Sequence, residues 1–352
     1  MARVLMKGNE ALGEGAVIAG CRYFFGYPIT PQSEVAEYLA RRLPQVDGVF
    51  LQAESEVAAI NMVYGGSAAG ARVMTGSSGP GLSLKQEGIS FIAEAELPCV
   101  IANISRGGPG LGGIQPAQSD YFQSCKGGGH GDYRLIVLAP SSVQEMMDFA
   151  LLAFDLADRY RTPVLIMSEG MLGQMMEPVQ VREPVTERYE KPWATTGCIN
   201  REPNIVNTLH LLPTELEDRN QHLFSKYARI AAEEKRAEMV MTEDAELVVV
   251  AYGLLSRVVK KAITEVRARG VKAGLIRPLT LWPFPDTHIQ KCLDTAKLFL
   301  TIEISMGQMV EDVKLAVNGR VPVEFYGRIG VIPSPQEIER AIMAVAERGG
   351  LA

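Results

Sequence analysis

The first 170 residues alternate short β-rich apolar runs with longer segments in which apolar positions recur at helical spacing. Strand-length runs fall at 22–26, 49–52, 72–76, 99–104, 134–138 and 163–167, and helical patterns fill most gaps, at 31–43, 56–69, 82–95 and 143–160. Alternation of this kind predicts a parallel sheet with helices on both faces, a doubly wound α/β domain.

The pattern breaks after residue 172. Prolines recur at Pro178, Pro184, Pro192, Pro203 and Pro213, and a charged helix is expected over 214–239. Residues 173–243 therefore read as a linker that packs across a surface. Strands at 247–251, 273–276, 298–303 and 323–326, with helices at 258–269, 309–317 and 335–348, then build a second, smaller α/β domain over 244–352. The sequence carries no internal repeat and no low-complexity tract.

A chain of 352 residues fits about two domains, and 47% apolar residues against 22% charged ones give each a core. The net charge of −6, with no Lys/Arg block longer than a pair, argues against nucleic-acid binding. Lys7, Glu10 and Glu14 interrupt the N-terminal segment before it reaches signal-peptide length. Apolar runs elsewhere, such as 246–255, are strand-sized, far short of the roughly 20 residues of a membrane span. A cytosolic protein is expected. The five cysteines (Cys21, Cys99, Cys125, Cys198, Cys292) are far apart, with no CxxC pair, so they read as buried thiols rather than cluster ligands.

Three segments carry candidate chemistry. In Gly26-Tyr27-Pro28-Ile29-Thr30-Pro31, a strand runs into a helix start with Thr30 as cap and Pro31 in the first turn. Free amides there could seat a carboxylate or carbonyl oxygen, although an ordinary capped helix has the same look. In Glu54-Ser55-Glu56-Val57-Ala58-Ala59, an acid at a strand end is followed by small residues that leave room for a ring, or else it merely complements a helix dipole. In Thr75-Gly76-Ser77-Ser78-Gly79-Pro80-Gly81, a glycine-rich turn permits close backbone approach to a ligand, as many βα turns do.

Taken in order, these segments resemble the pyrimidine-binding domain of thiamine-diphosphate enzymes, and Tyr27-Pro28-Ile29-Thr30-Pro31 narrows the resemblance to the pyrimidine-side (alpha-type) subunit of 2-oxoacid:ferredoxin oxidoreductases. Gln118-Ser119-Asp120, Gly129-His130-Gly131-Asp132-Tyr133 and Pro140-Ser141-Ser142-Val143-Gln144-Glu145 extend it over the first domain, and the second resembles a transketolase C-terminal domain. The resemblance implies that Glu56, rather than Glu54, contacts the aminopyrimidine, whose exocyclic amine then deprotonates the thiazolium. It implies that Thr30 touches the 2-oxoacid and that Arg106 pairs with its carboxylate, which a guanidinium suits better than an ammonium. Tyr27, Pro28, Ile29, Thr30, Glu56, Ser78 and Gly79 are the implied cofactor contacts. His130 is read as a loop residue facing the partner chain or cofactor, with direct proton transfer a lesser option.

The chain lacks a Gly-Asp-Gly start followed about thirty residues later by an asparagine, the pattern that would hold magnesium and the diphosphate. The nearest candidate is Gly131-Asp132-Tyr133, with no asparagine until Asn200. The resemblance therefore implies that the cofactor is shared with a diphosphate-binding beta-type subunit that carries Mg²⁺. It also implies an iron–sulfur subunit holding [4Fe-4S] clusters, a small gamma-type subunit, and ferredoxin as acceptor. The implied reaction is coenzyme A-dependent oxidative decarboxylation of a 2-oxoacid. Gln52–Glu56, Ala59–Gly65 and Ser83-Leu84-Lys85-Gln86-Glu87-Gly88 look most like the subtype acting on 3-methyl-2-oxobutanoate, with 2-oxoglutarate or pyruvate as alternatives. Two rival readings are an NAD-dependent dehydrogenase, from Gly108-Pro109-Gly110-Leu111-Gly112-Gly113, and a non-catalytic scaffold.

Overall fold

Short runs of branched and small apolar residues become strands buried on both faces. A computed structural model describes residues 3–185 and 189–351. Its strands are β1 (Arg3–Lys7), β2 (Tyr23–Gly26), β3 (Val49–Gln52), β4 (Val73–Ser77), β5 (Cys99–Ser105), β6 (Ile136–Leu138), β7 (Pro163–Glu169), β8 (Met176–Gln180), β9 (Ala237–Val240), β10 (Leu247–Val250), β11 (Ala273–Pro278), β12 (Thr280–Trp282), β13 (Leu298–Glu303) and β14 (Val323–Gly327). The helices are α1 (Gly8–Ile18), α2 (Ser33–Arg42), α3 (Glu56–Ala68), α4 (Pro80–Glu94), α5 (Tyr121–Cys125), α6 (Val143–Tyr160), α7 (Gly170–Gln174), α8 (Pro213–Glu233), α9 (Leu255–Ala268), α10 (Asp286–Gln290), α11 (Met309–Val317) and α12 (Pro335–Arg348).

A seven-stranded sheet runs in the order β12-β6-β7-β5-β4-β2-β3 and is parallel apart from β12. Every residue of β4, β5, β6 and β7 is buried, as expected of a sheet covered on both sides. One face packs on α1, α2, α6 and α8. The other packs on α3 and α4, and its core runs on without a break into β10, β11 and β13 of a second sheet. That sheet, β14-β13-β10-β11-β9, has only β9 antiparallel and is closed on its far side by α9 and α12. No helix among the described residues is long and apolar enough to cross a membrane.

The expected alternation is there, with three corrections. Thr30 does not cap a helix: α2 begins at Ser33 after Gln32, and residues 27–32 form a separate turn. The charged helix stops at Glu233, and residues 237–239, expected to be its end, instead belong to a strand, 237–240, that pairs with β11. Unexpected elements also precede the first predicted strand, since β1 pairs with β8 and α1 packs along α6. The contact with α6 is close because Gly15 brings the two backbones together, where a Cβ would overlap the Met147 carbonyl.

Candidate active site

In a parallel sheet, ligands collect at the carboxyl ends of the strands, near the point where strand order reverses. Here the chain passes from β2 outward to β3, then across to β4 on the other side of β2, and on to β5. The segments after these four adjacent strands are Tyr27–Thr30, Glu54–Glu56, Ser78–Gly79 and Arg106. Four loops that are distant in sequence thus meet along one edge.

Glu56 is the first residue of α3. The Ser55 hydroxyl accepts from Ala58 N at 3.2 Å and fixes that helix start. Glu56 is buried, whereas Glu54 is exposed and accepts a hydrogen bond from Ser55. The chain closes round Glu56 at Gly81, where a Cβ would overlap Glu56 Oε1 and Ser77 Oγ and press on Ile29 Cδ1. The three predicted segments therefore touch one another here. Gly79, at φ +48°, packs its backbone against the Arg106 side chain.

Arg106 is buried at the end of β5. Its Nη1 donates to the Thr30 carbonyl at 2.9 Å and its Nη2 to the Leu111 carbonyl at 3.0 Å, while Nε has no partner among the described residues. Two of its five N–H groups are committed, which leaves room for a carboxylate. Thr30 itself is exposed. With Pro31 it borders a cleft of about 680 Å³ whose apolar walls include Ile114, Pro116, Met171, Val331 and Ile332.

Several further residues support the site: Asn9 had no sequence signal, whereas Asp120 and Lys85 lay inside motifs that carry the resemblance but had no role assigned to them. Asn9, on the unforeseen α1, donates to the Pro31 carbonyl and to Glu34 Oε2, each at 2.9 Å, and so holds the turn bearing Thr30. Asp120 accepts from Asn103 at 3.1 Å, and burial pushes its carboxyl above the usual range despite that bond and the nearby Arg106. Lys85 is fully buried in α4 and donates to Thr75 Oγ1 at 2.9 Å. Only the sign of its charge was legible, not its burial.

His130 is a loop residue, as read from the sequence, and is exposed; the Gly128 and Gly129 amides of that loop donate to Tyr133 Oη. Cys198 is exposed, contrary to the reading of all five cysteines as buried thiols; the other four are buried. No group of His, Cys, Asp or Glu among the described residues could hold a metal ion. The Gly108–Gly113 stretch folds back so that Gly113 N donates to the Gly107 carbonyl, and the next helix starts only at Tyr121. A dinucleotide fingerprint needs a helix directly after its glycines.

Comparison with known proteins decides the family. Residues 14–241 match the family described as "Pyruvate flavodoxin/ferredoxin oxidoreductase, thiamine diP-bdg", and residues 245–338 match "Pyruvate:ferredoxin oxidoreductase core domain II". The chain belongs to the 2-oxoacid:ferredoxin oxidoreductases. Among its relatives in this family, the ketoisovalerate oxidoreductase subunit VorB of Methanothermobacter marburgensis is 53% identical over 94% of both chains. The 2-oxoglutarate synthase subunit KorA of Methanocaldococcus jannaschii is 38% identical over 96% of this chain and 98% of its own. A solved 2-oxoglutarate:ferredoxin oxidoreductase from Magnetococcus marinus, with 2-oxoglutarate, coenzyme A and succinyl-CoA bound, superposes with a TM-score of 0.89 at 27% identity, covering 97% of this chain and 65% of that one. A split-gene transketolase shares the fold alone, with a TM-score of 0.61 at 14% identity over 96% of this chain and 97% of its own.

The edge built by β2–β5 in this oxidoreductase subunit suits a thiamine-diphosphate pyrimidine. A buried carboxylate, Glu56, lies near the hydroxyl of Ser77, and the Ser77 and Ser78 hydroxyls are both buried with no partner among the described residues. Such orphaned groups in a native site await a partner.

Proposed function

We propose that this chain supplies the pyrimidine side of a thiamine-diphosphate site shared between subunits, in an enzyme that oxidatively decarboxylates 3-methyl-2-oxobutanoate and related branched-chain 2-oxoacids with coenzyme A. The observation that carries the reading is the convergence of Tyr27–Thr30, Glu56, Ser78–Gly79 and Arg106 at the carboxyl ends of four neighbouring strands. When bound, thiamine diphosphate supplies a nucleophilic carbon and a sink for the electrons left when carbon dioxide departs. Glu56 shares a proton with the ring nitrogen of the pyrimidine, and its burial keeps water from competing. Tyr27, Pro28, Ile29, Ser78 and Gly79 bound the ring. Arg106 takes the substrate carboxylate through its uncommitted N–H groups, and its bond to the Thr30 carbonyl holds Thr30 beside the substrate's oxygen.

The diphosphate, with Mg²⁺, falls to a beta-type partner, and [4Fe-4S] clusters to an iron–sulfur partner. A small gamma-type subunit completes the assembly, and ferredoxin receives the electrons. The branched-chain preference is supported by 53% identity to a ketoisovalerate oxidoreductase subunit against 38% to a 2-oxoglutarate synthase subunit. Apolar walls next to Thr30 suit an aliphatic chain rather than a second carboxylate. The test is anoxic purification with co-purifying chains, followed by viologen reduction with coenzyme A and a panel of 2-oxoacids. Fastest turnover of 3-methyl-2-oxobutanoate is expected. Preference for 2-oxoglutarate or pyruvate corrects the substrate, and an intact complex without thiamine-dependent activity overturns the reading.

A further inference from the structure

Lys85 is a buried ammonium with one neutral partner. It lies on α4, the helix that opens directly after Ser77–Gly79, and has no exposed surface. Its sole hydrogen bond among the described residues goes to Thr75 Oγ1, at 2.9 Å. Thr75 and Ser77 stand two apart on β4 and so share a face of the sheet. Ser77 Oγ in turn crowds the same point above Gly81 as Glu56 Oε1. The ammonium thus sits one pleat below the Glu56 pocket. Burying an ammonium against a single hydroxyl is strongly unfavourable unless a counter-ion compensates. Glu56 is the one charged group among the described residues whose field bears on Lys85. Glu56 itself forms no ion pair with any arginine, lysine or histidine among the described residues; the other buried cation at this edge, Arg106, packs on Gly79 and directs two of its N–H groups to the Thr30 and Leu111 carbonyls.

We propose that Lys85 is the built-in counter-charge of Glu56, a positioning residue that favours the ionised carboxylate beside the pyrimidine ring and governs how tightly their shared proton is held. The inference rests on the proposed role of Glu56. Burial pushes the Lys85 ammonium down to about 8, with Glu56 acting against that fall, so Lys85 is charged at neutral pH. A positive charge there favours loss of the proton shared by Glu56 and the ring. Without it, the proton is retained to higher pH. Neighbouring groups on β4 (Thr75, Ser77) and at the turn (Ser78) are neutral, and Glu87, on the same helix, faces solvent.

The test uses the assembled complex loaded with thiamine diphosphate and follows the circular-dichroism band of the bound aminopyrimidine against pH, alongside cofactor Kd and the pH profile of kcat/KM. Lys85→Met should move the alkaline midpoint of both curves upward by about one unit or more, the usual scale for removing a nearby opposite charge. Lys85→Arg should restore most of the wild-type midpoint. Thr75→Val, which removes the hydroxyl and lowers the ammonium's hold on its proton, should shift the midpoint in the same direction by less, and it serves if Lys85→Met does not assemble. Unmoved midpoints in Lys85→Met, or in Thr75→Val where that variant has to serve, overturn the inference. Glu56→Gln separates the two readings: if it stays active, the assignment of Glu56 fails, and if it is inactive while the Lys85 and Thr75 variants titrate like wild type, only the counter-charge fails.

Discussion

The edge formed by β2–β5 and the joint between the two sheets are both rich in buried polar groups, but they are built on opposite principles. At the joint, Gln118 uses both ends of its amide: Nε2 donates to Glu169 Oε1 at 2.6 Å and to the Tyr252 carbonyl at 3.0 Å, and Oε1 accepts from Ile304 N at 3.0 Å. Glu303 closes the start of α11 by accepting from the amides of Gln308, Met309 and Val310 and from Ser305 Oγ. Gln308 then reaches across to Phe122 N and the Ser119 carbonyl, and Asp312 accepts from Tyr121 Oη at 2.6 Å. At the β2–β5 edge, by contrast, Ser77, Ser78 and Arg106 Nε have no partner among the described residues. Satisfied networks fix one arrangement, whereas unsatisfied ones hold binding capacity in reserve. The joint holds the molecule together, and the edge is where it can act.

Mutations at the edge should therefore remove activity while sparing the fold, and mutations at the joint should do the reverse. The largest effect is expected from Glu56→Gln: turnover by the assembled complex falls by at least about 100-fold, the contribution typical of a positioned proton-transfer group, with an unchanged thermal midpoint. Near-wild-type viologen reduction would remove Glu56 from its assigned role. Next is Arg106→Lys, which keeps the charge but not the fork that spans the Thr30 and Leu111 carbonyls and, in the proposed role, the substrate carboxylate. An increase of about tenfold or more in the KM for the 2-oxoacid is expected from steady-state kinetics. A pure scaffold would tolerate this change.

At the joint, Glu303→Gln leaves amide donors at the start of α11 poorly matched and should destabilise the chain by about 1–3 kcal/mol, measured by thermal or urea unfolding, with KM unchanged in complex that remains folded. The smallest effect concerns pH. Burial pushes Glu169 up to about 7, against the hydrogen bonds from Gln118 and Leu254 N. A carboxyl raised in the folded state contributes stability that is fully present below its unfolded value of 4.5 and is lost as pH rises through about 7. The thermal midpoint should decline between pH 5 and 8 in the wild-type chain and decline less in Glu169→Gln. Identical slopes would show that the joint does not titrate.

Much of this contrast was legible beforehand, but unevenly. β3, β13, α6, α11 and α12 lie where periodicity and end signals put them, because their signals are local: Ser142 and Ser334 accept from the amides of Glu145 and Glu337 at the starts of α6 and α12. The four segments that build the edge could be read because each joins a strand end to a distinctive turn. The helix α1 escaped notice because its sequence, GNEALGEGAVI, is glycine-rich and buried nearly all round, so it shows no amphipathic stripe. β9 escaped because AEMV continues a helical pattern and becomes a strand only by pairing with β11, more than thirty residues on. Lys85 escaped for a different reason. Sequence records its charge, but only the packing of α4 on β4 shows that the charge never meets water.

One small strand has a consequence for how the protein is made. β12, residues 280–282, pairs antiparallel with β6 and forms the outer edge of a sheet whose other strands all precede residue 170. A ribosome that has delivered the first 170 residues has therefore delivered a sheet with β6 unpaired on one side, and another hundred or so residues must follow before that side closes. Until then the nascent chain offers a free row of amides and carbonyls to its neighbours. A gene fragment ending between the two matched families, after residue 241, would keep that opening permanently.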